Sequence, residues 1–406
     1  MDFSEQRVFI TGINGFAGSF LARYLVEKGA EVHGLVKDNV GADPLANLKH
    51  LGIKDDLELV YGDINEKDFL QRKMVDVEPE HVFHFAAKTY VPYSFSHPQE
   101  VFDVNTKGTL NMLEIIRSTG LDTSFVFAGS SEEYGLVFSS QDQYKRLGGT
   151  HEICPEPGEI PELPVSEKNP LRPRSPYAVS KMCADRLTQN YYDFSGIDTK
   201  VSRAFNHEGS LRGERFVTST ITSQVARLRW GNSDEIMIGN VNAFRDWSHV
   251  EDIVRGYCLL SSEGRSGSVY NQGSERTNSV LSYILLSLEE AGYSVESIRS
   301  LKNGKKVENP VSPDDKSFFG RDFFHTKIDR MLLENSIRFD RQDEGIRVEC
   351  SEEDVVIRFK KDRFRPSEVP ILMSDTGRMR DLGFSIDHSI SDIIDDQLGY
   401  FRNKYS

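Results

Sequence analysis

Two groups of polar residues in this chain have types and a spacing that could do chemistry. The first lies in the segment SPYAVSK, where Tyr177 and Lys181 are four positions apart. On a helix, side chains at this spacing share one face, so an ammonium would lie beside a phenol. A nearby positive charge stabilises the phenolate and lowers the pKa of a tyrosine. The pair therefore predicts a tyrosine that exchanges a proton with a substrate hydroxyl.

The second group lies in FAGSSEEYG, where two serines and two glutamates follow an apolar run. Ser130 and Glu132 are two positions apart, so on an extended segment both side chains point to the same side. Glu133 then points to the other side, where it is structural or solvated. Because ligands of parallel sheets bind beyond the carboxyl ends of the strands, these hydroxyl and carboxylate groups are expected to face a ligand.

Alternating strands and helices must position these groups. Short apolar runs predict strands at 7–11, 31–36, 57–63, 81–87 and 124–129. Amphipathic stretches predict helices at 16–29, 66–75, 98–120 and 176–195. This alternation is typical of right-handed βαβ units. It predicts an α/β fold: a Rossmann-type doubly wound parallel sheet with a smaller C-terminal α+β substrate-binding domain.

A glycine pattern follows the first predicted strand and opens the first predicted helix. The segment TGINGFAG places Gly12, Gly15 and Gly18 at intervals of three. Glycines permit a tight turn and a close approach of the backbone to a pyrophosphate, and the helix N-terminus supplies free N–H groups. The alternative is a bare glycine-rich turn, but the order strand, turn, helix favours a dinucleotide site.

The end of the second predicted strand selects between two dinucleotides. An acidic residue at this place accepts hydrogen bonds from the adenosine ribose of NAD, whereas a cation favours the 2′-phosphate of NADP. The place falls on Lys37, and Asp38 is next. We predict NADP, with NAD as the alternative that Asp38 supports. Asp63, which ends the third predicted strand, either accepts from the adenine amino group or is a plain turn residue.

Composition excludes several classes of partner. The formal net charge of −14 argues against a nucleic-acid partner, since phosphate binding needs clustered cations. No apolar stretch approaches the ~18 residues of a membrane span, and the N-terminus has no signal-peptide layout. We therefore expect a cytoplasmic protein without a membrane partner. No metal spacing is present among the four cysteines, which we predict to be free thiols: Cys154, Cys183, Cys258 and Cys350.

Five segments together resemble the extended short-chain dehydrogenase/reductases, the NAD-dependent epimerase/dehydratase family: TGINGFAGS, GDI, HFAAKTYV, SSEEYG and SPYAVSK. Three later segments are similar to the GDP-mannose 4,6-dehydratase subgroup: RAFNHEGSLRGERFVTSTI, FRDWSHVEDIV and RFRPSEVPILMSDTGRMRDLGF. The resemblance implies a nucleotide-diphosphate sugar as substrate, an NAD(P)-dependent lyase reaction and a homodimer.

The resemblance also implies a role for each matching residue. Ser130 corresponds to the hydroxyl that binds the sugar 4-oxygen, and Tyr177 and Lys181 to the proton-transfer pair. Glu132 corresponds to the base that takes the C5 proton once C4 is a ketone, which leads to a 4-keto-6-deoxy sugar. The implied substrate contacts are Ser131, Asn206 and Arg245. The implied cofactor contacts are Gly12, Asn14, Gly15, Phe16, Gly18, Lys37, Asp63, Ile64, Ala86, Ala87, Tyr177 and Lys181.

Three other functions remain open at this point. A nucleotide-sugar 4-epimerase needs the serine, tyrosine and lysine but no base at Glu132. A UDP-glucuronate decarboxylase has a similar Ser/Thr-x-Glu pattern and needs a cation for the sugar carboxylate. A non-catalytic NADP sensor of the same fold is the third alternative, but a sensor has no use for the Tyr177 and Lys181 pair.

The sequence departs from the subgroup in three places. A long segment at 136–170 separates the serine from the tyrosine and is either a lid or a surface insertion. Ser219 and Thr220 replace a basic pair, which leaves the nucleotide base and a tetramer open. Residues 301–362 add a short helix and alternating strands without an assigned role. We predict a dinucleotide-binding domain at 1–205, to which 244–274 returns, and a nucleotide-sugar-binding domain at 206–243 and 275–406.

Overall fold

The computed structural model describes residues 2–37, 43–149, 152–231, 233–364 and 369–405. The strands are β1 (Arg7–Thr11), β2 (Glu31–Val36), β3 (Glu58–Tyr61), β4 (His81–His84), β5 (Ser124–Ala128), β6 (Thr199–Ala204), β7 (Asn206–Glu208), β8 (Glu235–Ile238), β9 (Phe244–Arg245), β10 (Trp247–His249), β11 (Ser268–Gln272), β12 (Asn278–Ser279), β13 (Val295–Ser300), β14 (Lys306–Glu308), β15 (Pro313–Asp314), β16 (His325–Thr326), β17 (Gly345–Cys350) and β18 (Val355–Phe359). The helices are α1 (Phe16–Glu27), α2 (Ala46–His50), α3 (Lys67–Val77), α4 (Val91–Ser96), α5 (Pro98–Phe102), α6 (Gly108–Thr119), α7 (Gln141–Gly148), α8 (Pro176–Ser195), α9 (Val217–Arg229), α10 (Val250–Glu263), α11 (Val280–Glu290), α12 (Lys327–Leu333), α13 (Gly377–Asp381) and α14 (Ile390–Tyr405).

A seven-stranded parallel sheet organises the first half of the chain. Its strand order is β11-β6-β5-β4-β1-β2-β3. Strand β1 lies between β2 and β4, so the strand order reverses there, and such a switch point opens a crevice at the carboxyl edge of the sheet. Every residue of β5 and β6 is buried, as expected for strands that helices cover on both faces. The predicted Rossmann-type fold is confirmed.

Helices cover the two faces of this sheet with separate apolar clusters. One cluster joins α1 and α10 to the sheet through residues such as Phe20, Leu25 and Ile253. The other joins α6 and α8 to the opposite face through Leu113 and Ala184, among others. Both clusters are fully buried at their centres, so the sheet edge that carries the strand ends is held rigidly between two packed layers.

The helix predicted over 98–120 is interrupted in the structure. Between α5 and α6 the backbone forms a wider π-type turn at 103–107. Buried Asn105 accepts a hydrogen bond from the Lys88 amide (2.7 Å) and donates to the Ser180 hydroxyl (2.9 Å). The widened turn therefore holds a polar side chain that ties the chain after β4 to α8. The helix ends at Gly120 with φ of 69°, as its sequence predicted.

A second, five-stranded sheet forms in the C-terminal half, in the order β14-β13-β17-β18-β8. Its pairs are antiparallel except for β18 with β8. Apolar residues on its inner side pack with α9, α11 and α14 in one core, including Ile298, Ile346, Ile357, Ile284 and Leu398. The short helix and alternating strands predicted within 301–362 are present as α12, β17 and β18.

The long segment before α8 packs against the C-terminal core. The Val165 amide donates to the Met373 carbonyl (2.7 Å), and the Asp375 amide donates to the Val165 carbonyl (2.8 Å). Arg172 forms a bidentate ion pair with Glu162, both distances being 2.9 Å, and both side chains are buried. These contacts join the part of the segment around Glu162 and Val165 to the packed core, whereas most of the described residues at 152–160 are exposed.

Among the described helices, none is long and apolar enough to cross a membrane. The four cysteines are all free, and only Cys154 is exposed among them.

We expect the Arg172 and Glu162 pair to be a main support of this segment. Replacing Arg172 by Met removes the partner of a buried carboxylate, which typically costs about 3 to 5 kcal/mol. Denaturant unfolding followed by circular dichroism measures this loss. The control is Lys302→Met, which removes one partner of the exposed pair between Lys302 and Glu344 and should change stability little. Equal stabilities of the two variants would contradict this assignment.

Candidate active site

The glycine-rich turn after β1 is closely packed at two of its glycines. Gly12 has φ of +73°, and a Cβ atom there would lie 2.9 Å from the backbone nitrogen of Ala86. A Cβ atom on Gly18 would lie 2.3 Å from the Gly12 carbonyl oxygen. Gly15 is the N-cap of α1 and brings no side chain to the helix end. The turn is therefore a cradle that side chains would fill, and its shape fits a pyrophosphate at the N-terminus of α1.

Lys37 and Asp63 lie together at the end of β2. The Lys37 ammonium is 2.6 Å from a carboxylate oxygen of Asp63. Burial raises the pKa of Asp63, but the hydrogen bonds from Lys37 and Asn65 outweigh it and leave this pKa below its usual value. Lys37 is half exposed, so it can reach a ligand at this edge. Asp38, on which the NAD alternative rests, lies outside the described residues.

Of the remaining predicted cofactor contacts, Asn14 and Phe16 lie in the same segment, and Ala86 packs against Gly12. Asn14 donates to the Pro44 carbonyl (2.9 Å), and the Phe16 ring is parallel to that of His207 at 6.1 Å. Ile64 is buried after β3, and Ala86 and Ala87 follow β4. The Ala86 amide donates to the Thr11 hydroxyl (3.1 Å), which links the ends of β1 and β4.

The tyrosine and lysine lie in the first turns of α8, where Ser175 caps the helix. Both side chains are buried. The Lys181 ammonium donates to the Ala128 carbonyl at the end of β5 (2.7 Å) and lies 4.8 Å above the Phe127 ring. Burial lowers the pKa of Lys181 to about 8, against the charge of Glu133, which raises it.

The prediction that Lys181 gives Tyr177 a lowered pKa is wrong for the protein by itself. Burial raises the pKa of Tyr177 to about 12, although a hydrogen bond with Ser130 and the charge of Arg212 lower it. Glu132 also raises this pKa through its charge. The ammonium of Lys181 is directed to a backbone carbonyl instead of the phenol. Burial of the phenol therefore determines the direction in which the pKa of Tyr177 shifts.

The SSEEYG segment is a capped turn and not an extended strand end, which corrects the predicted geometry. Ser130 is extended, but 131–133 forms a single 3₁₀ turn. The Glu132 amide donates to the Ser130 hydroxyl (3.2 Å), and the Ser130 amide donates to the Glu133 carboxyl (2.7 Å). Ser131 is buried within this turn. The turn packs against α8, the helix that carries Tyr177.

The predicted substrate contacts further along the chain have separate surroundings. Asn206 begins β7 and is half-buried. Arg245 is buried, and its Nη1 donates to the carbonyls of Phe244 (2.8 Å) and Val369 (2.7 Å). Ser219 and Thr220, in place of a basic pair, belong to α9, where Ser219 is buried and accepts from Gln397.

The sequence interpretation missed Arg212 as a site residue. Its charge lowers the pKa of Tyr177, and its guanidinium lies 5.1 Å above the ring of Phe16 in the glycine-rich turn. Its Nε is 3.3 Å from the buried carboxylate of Glu208. The sequence contained a signal for this residue in the segment GSLRGER, where two arginines follow a glycine just after β7. Arg212 thus places a cation over Phe16, at the start of α1.

Comparison with known proteins decides the family. The NAD dependent epimerase/dehydratase family matches residues 8–273, which is more than half of the chain. The chain belongs to the NAD dependent epimerase/dehydratase family. A second family, GDP-mannose 4,6 dehydratase, matches residues 157–397. The resemblance predicted from the sequence motifs is confirmed.

Curated relatives agree with this membership. A GDP-mannose 4,6-dehydratase of Yersinia enterocolitica is 30% identical over 93% of this chain and 88% of its own. A GDP-mannose 4,6-dehydratase of Vibrio cholerae is 35% identical over 76% of this chain and 78% of its own. Both matches extend well beyond the dinucleotide-binding half of this epimerase/dehydratase family member.

Solved structures share the fold. RMD from Pseudomonas aeruginosa, complexed with NADPH, has a TM-score of 0.64 at 22% identity and covers 98% of this chain and 99% of its own. A UDP-glucose 4-epimerase of Thermotoga maritima, with UDP-glucose, has a TM-score of 0.69 at 20% identity and covers 99% of this chain and 100% of its own.

The glycine cradle of this family member yields a matched test. Gly12 and Gly52 have nearly the same φ, +73° and +71°, so alanine should strain the backbone equally at both positions. Only at Gly12 would the new Cβ also meet the backbone of Ala86, because the space around Gly52 is open within 4 Å. We expect Gly12→Ala to weaken NADPH binding by about tenfold or more, because the displaced turn loses hydrogen bonds to the charged pyrophosphate, and Gly52→Ala to leave it unchanged. Fluorescence titration measures both, and a similar affinity of the two variants would exclude this cradle.

Proposed function

We propose that the protein is an NADP-dependent nucleotide-sugar 4,6-dehydratase that acts on a GDP-mannose-like substrate. One observation supports this most: the turn that carries Ser130 and Glu132 packs against α8, which carries Tyr177, beyond the end of β5. The hydroxyl and phenol suit oxidation of a sugar alcohol, and the carboxylate adds the base that an elimination requires. The GDP-mannose 4,6-dehydratase relatives support the same substrate class.

Oxidation at C4 of the sugar is assigned to Ser130 and Tyr177. Ser130 holds the 4-hydroxyl, and Tyr177 takes its proton as C4 becomes a ketone. The resting phenol has a pKa of about 12, so its ionisation depends on positive charge close by. Arg212 supplies such a charge from the protein. When bound, oxidised NADP supplies the hydride acceptor and a second positive charge at this point.

Elimination is assigned to Glu132. A ketone at C4 makes the C5 proton acidic, and the Glu132 carboxylate takes it while the 6-hydroxyl leaves as water after receiving a proton. The proton that the 6-hydroxyl receives is the one that Glu132 took from C5. The hydride that C4 lost is regained at C6, and C5 takes up the proton that Tyr177 received from the 4-hydroxyl or exchanged with solvent, so the sugar loses one water in total. The product is a 4-keto-6-deoxy nucleotide sugar, and the cofactor ends in its starting redox state.

Arg212 is the protein's candidate for holding the substrate diphosphate. It is largely buried, and its guanidinium lies over the rings of Phe16 at 5.1 Å and Phe216 at 3.9 Å. Its ion pair with Glu208 fixes the guanidinium in place. A preorganised guanidinium binds phosphate oxygens through paired hydrogen bonds, so the sugar would be anchored next to the reacting groups.

NADP is the proposed cofactor because a half-exposed lysine ends β2. Lys37 can donate to a 2′-phosphate, and its partner Asp63 keeps the ammonium at the edge of the crevice. Asn14, Phe16 and Ile64 complete the surroundings of the adenosine side.

We expect Lys37→Ala to lower the affinity for NADP by about tenfold or more, because a charge-assisted hydrogen bond to phosphate is lost. The affinity for NAD, which lacks that phosphate, should change little. Lys49→Ala is the control, since Lys49 forms a similar exposed ion pair with Asp43. Calorimetric titration of both dinucleotides checks this. If the wild-type protein bound NAD at least as tightly as NADP, the cofactor proposal would be wrong.

The proposed domain division follows the ligands. Residues 1–205 and 244–274 would hold the dinucleotide, and 206–243 and 275–406 the nucleotide sugar. A homodimer is proposed through α6 and α8, since Phe194 at the end of α8 is 58% exposed and Tyr192 37%. The apolar stripe of α6 contributes less to it, because Leu113 and Ile116 are buried in the core. The free cysteines suit a cytoplasmic location.

We expect Glu132→Gln to separate oxidation from elimination. Glutamine keeps the size of the side chain but removes its basicity, so dehydration should fall by about 10² to 10⁴ fold. The variant should still reduce bound NADP on mixing with GDP-mannose. Tyr177→Phe is the matched control, which should lose both steps while it keeps cofactor binding. Absorbance of the reduced cofactor and mass spectrometry of the sugar measure the two steps.

The isotope pattern gives an independent measurement. Solvent deuterium should enter C5 of the product with the wild type and far more slowly with Glu132→Gln. Dehydration by this variant at the wild-type rate would exclude Glu132 as the base. Inversion at C4 without loss of water would assign the protein as an epimerase, and loss of carbon dioxide from a glucuronate substrate would assign it as a decarboxylase.

A further inference from the structure

A second carboxyl group, that of Glu133, lies directly behind the reacting serine. Its side chain is fully buried. One carboxyl oxygen accepts a hydrogen bond from the Ser130 amide at 2.7 Å. The other oxygen finds no conventional donor among the described residues and is 3.6 Å from Nε of Arg203. An orphaned carboxylate oxygen in a dry interior is costly, so its protonation state needs an explanation.

The guanidinium that faces Glu133 is bound mainly to another carboxylate. Asp185 on α8 is also fully buried, and the two carboxyl groups lie within hydrogen-bonding reach of each other. Arg203 on β6 is directed to Asp185, with Nε at 2.8 Å and Nη2 at 3.3 Å. Its Nη1 donates to the Tyr134 hydroxyl (3.2 Å). The hydrogen bonds of the guanidinium therefore go to Asp185 and Tyr134, and its contact with Glu133 is the longer one at 3.6 Å.

Burial and the charge of Asp185 raise the pKa of Glu133 well above its usual value, although Arg203 opposes them. The same two factors are present in any pair of carboxyl groups that share a dry site, and such a pair keeps one proton between its members. The proton also gives the orphaned oxygen a hydrogen-bond partner, because the protonated oxygen donates to Asp185.

We infer that Glu133 is a positioning residue that carries a proton: its hydroxyl oxygen donates to Asp185, and its carbonyl oxygen holds the amide of Ser130. This inference rests on the proposed dehydratase function for its catalytic consequence, but not for the protonation itself. Through the Ser130 amide, Glu133 sets the start of the 3₁₀ turn that carries both the serine hydroxyl and Glu132.

A neutral Glu133 also serves the electrostatics of the site. A negative charge at Glu133 raises the pKa of both Tyr177 and Lys181. The tyrosine must lose its proton for the sugar hydroxyl to be oxidised, so an ionised Glu133 would oppose that step. The shared proton thus lets a carboxyl group hold the turn without adding a charge next to the phenol.

Two substitutions at this position distinguish a protonated carboxyl from an ionised one. Glu133→Gln keeps an oxygen that accepts from the Ser130 amide and adds an NH₂ group that donates to Asp185. It reproduces the protonated state, so kcat should stay within about twofold of the wild type. Glu133→Leu keeps the volume but leaves the Ser130 amide and Asp185 without this partner, so kcat should fall about 10- to 100-fold with little change in NADPH affinity.

Each outcome decides the inference. A kcat near that of the wild type in Glu133→Gln, together with a reduced kcat in Glu133→Leu, supports the inference. A loss of kcat in Glu133→Gln as large as in Glu133→Leu would show that Glu133 acts as an ionised group or as a proton donor, and it would overturn the inference. Wild-type kcat in Glu133→Leu would also overturn it, since the turn would then hold without Glu133. If the leucine variant fails to fold, the glutamine variant still separates the two charge states.

Infrared spectroscopy of the whole protein at neutral pH tests the protonation without any substrate. The difference between the wild type and Glu133→Gln should contain the C=O stretch of a carboxylic acid. The appearance of carboxylate stretches in its place would overturn the inference. Because this readout does not depend on turnover, a protein with no dehydratase activity and a clear acid band would contradict the proposed function and leave the assignment of the proton intact.

Discussion

The candidate site depends on the close approach of two strand ends, β1 and β4, at the carboxyl edge of the parallel sheet. Gly12 leaves β1 with positive φ, and its backbone lies against that of Ala86 after β4. The Thr11 hydroxyl reinforces this contact by accepting from the Ala86 amide. Since both strands are buried between helices, their ends cannot shift independently, and α1 starts from a fixed point. The cradle for a pyrophosphate follows from this packing.

The next strand along, β5, ends in a different way. Its last carbonyl, that of Ala128, accepts from Lys181, and the following Ser130 amide donates to Glu133. Both partners are ionisable side chains, and both are buried. The backbone groups at a strand end must find partners once the ladder stops, and here those partners come from the catalytic segment itself. The backbone groups at the end of β5 are therefore satisfied by side chains of the two segments that carry the candidate site residues.

The C-terminal half packs around its own core and holds the segment before α8. The segment before α8 is joined to it by the hydrogen bonds of Val165 and by the buried pair of Glu162 and Arg172. Asn271 at the end of β11 connects the two halves, because its side chain donates to the Val165 carbonyl and accepts from Tyr134. Tyr134 directly follows the SSEEYG carboxylates, so the catalytic turn is fixed from both halves of the chain.

Local sequence patterns determined much of this protein. The spacing of Gly12, Gly15 and Gly18 and the alternation of apolar runs predicted the βαβ order, since backbone freedom and side-chain periodicity are local properties. The same holds for Tyr177 and Lys181 on one helix and for Ser130 at a strand end. The resemblance of these segments to one family was enough to identify the class of reaction, because the reacting groups lie in short contiguous motifs.

Tertiary packing decided what these groups experience. Lys181 is directed to the Ala128 carbonyl and Glu133 is fully buried, because residues distant in sequence close around them. The 3₁₀ turn at 131–133 replaces the predicted extended segment, since its capping hydrogen bonds outweigh the pattern of alternation. Arg212 comes to lie over Phe16 only through the fold. Desolvation and the distance between charges depend on the whole chain, so the sequence predicted which groups carry the chemistry and the tertiary structure set their protonation.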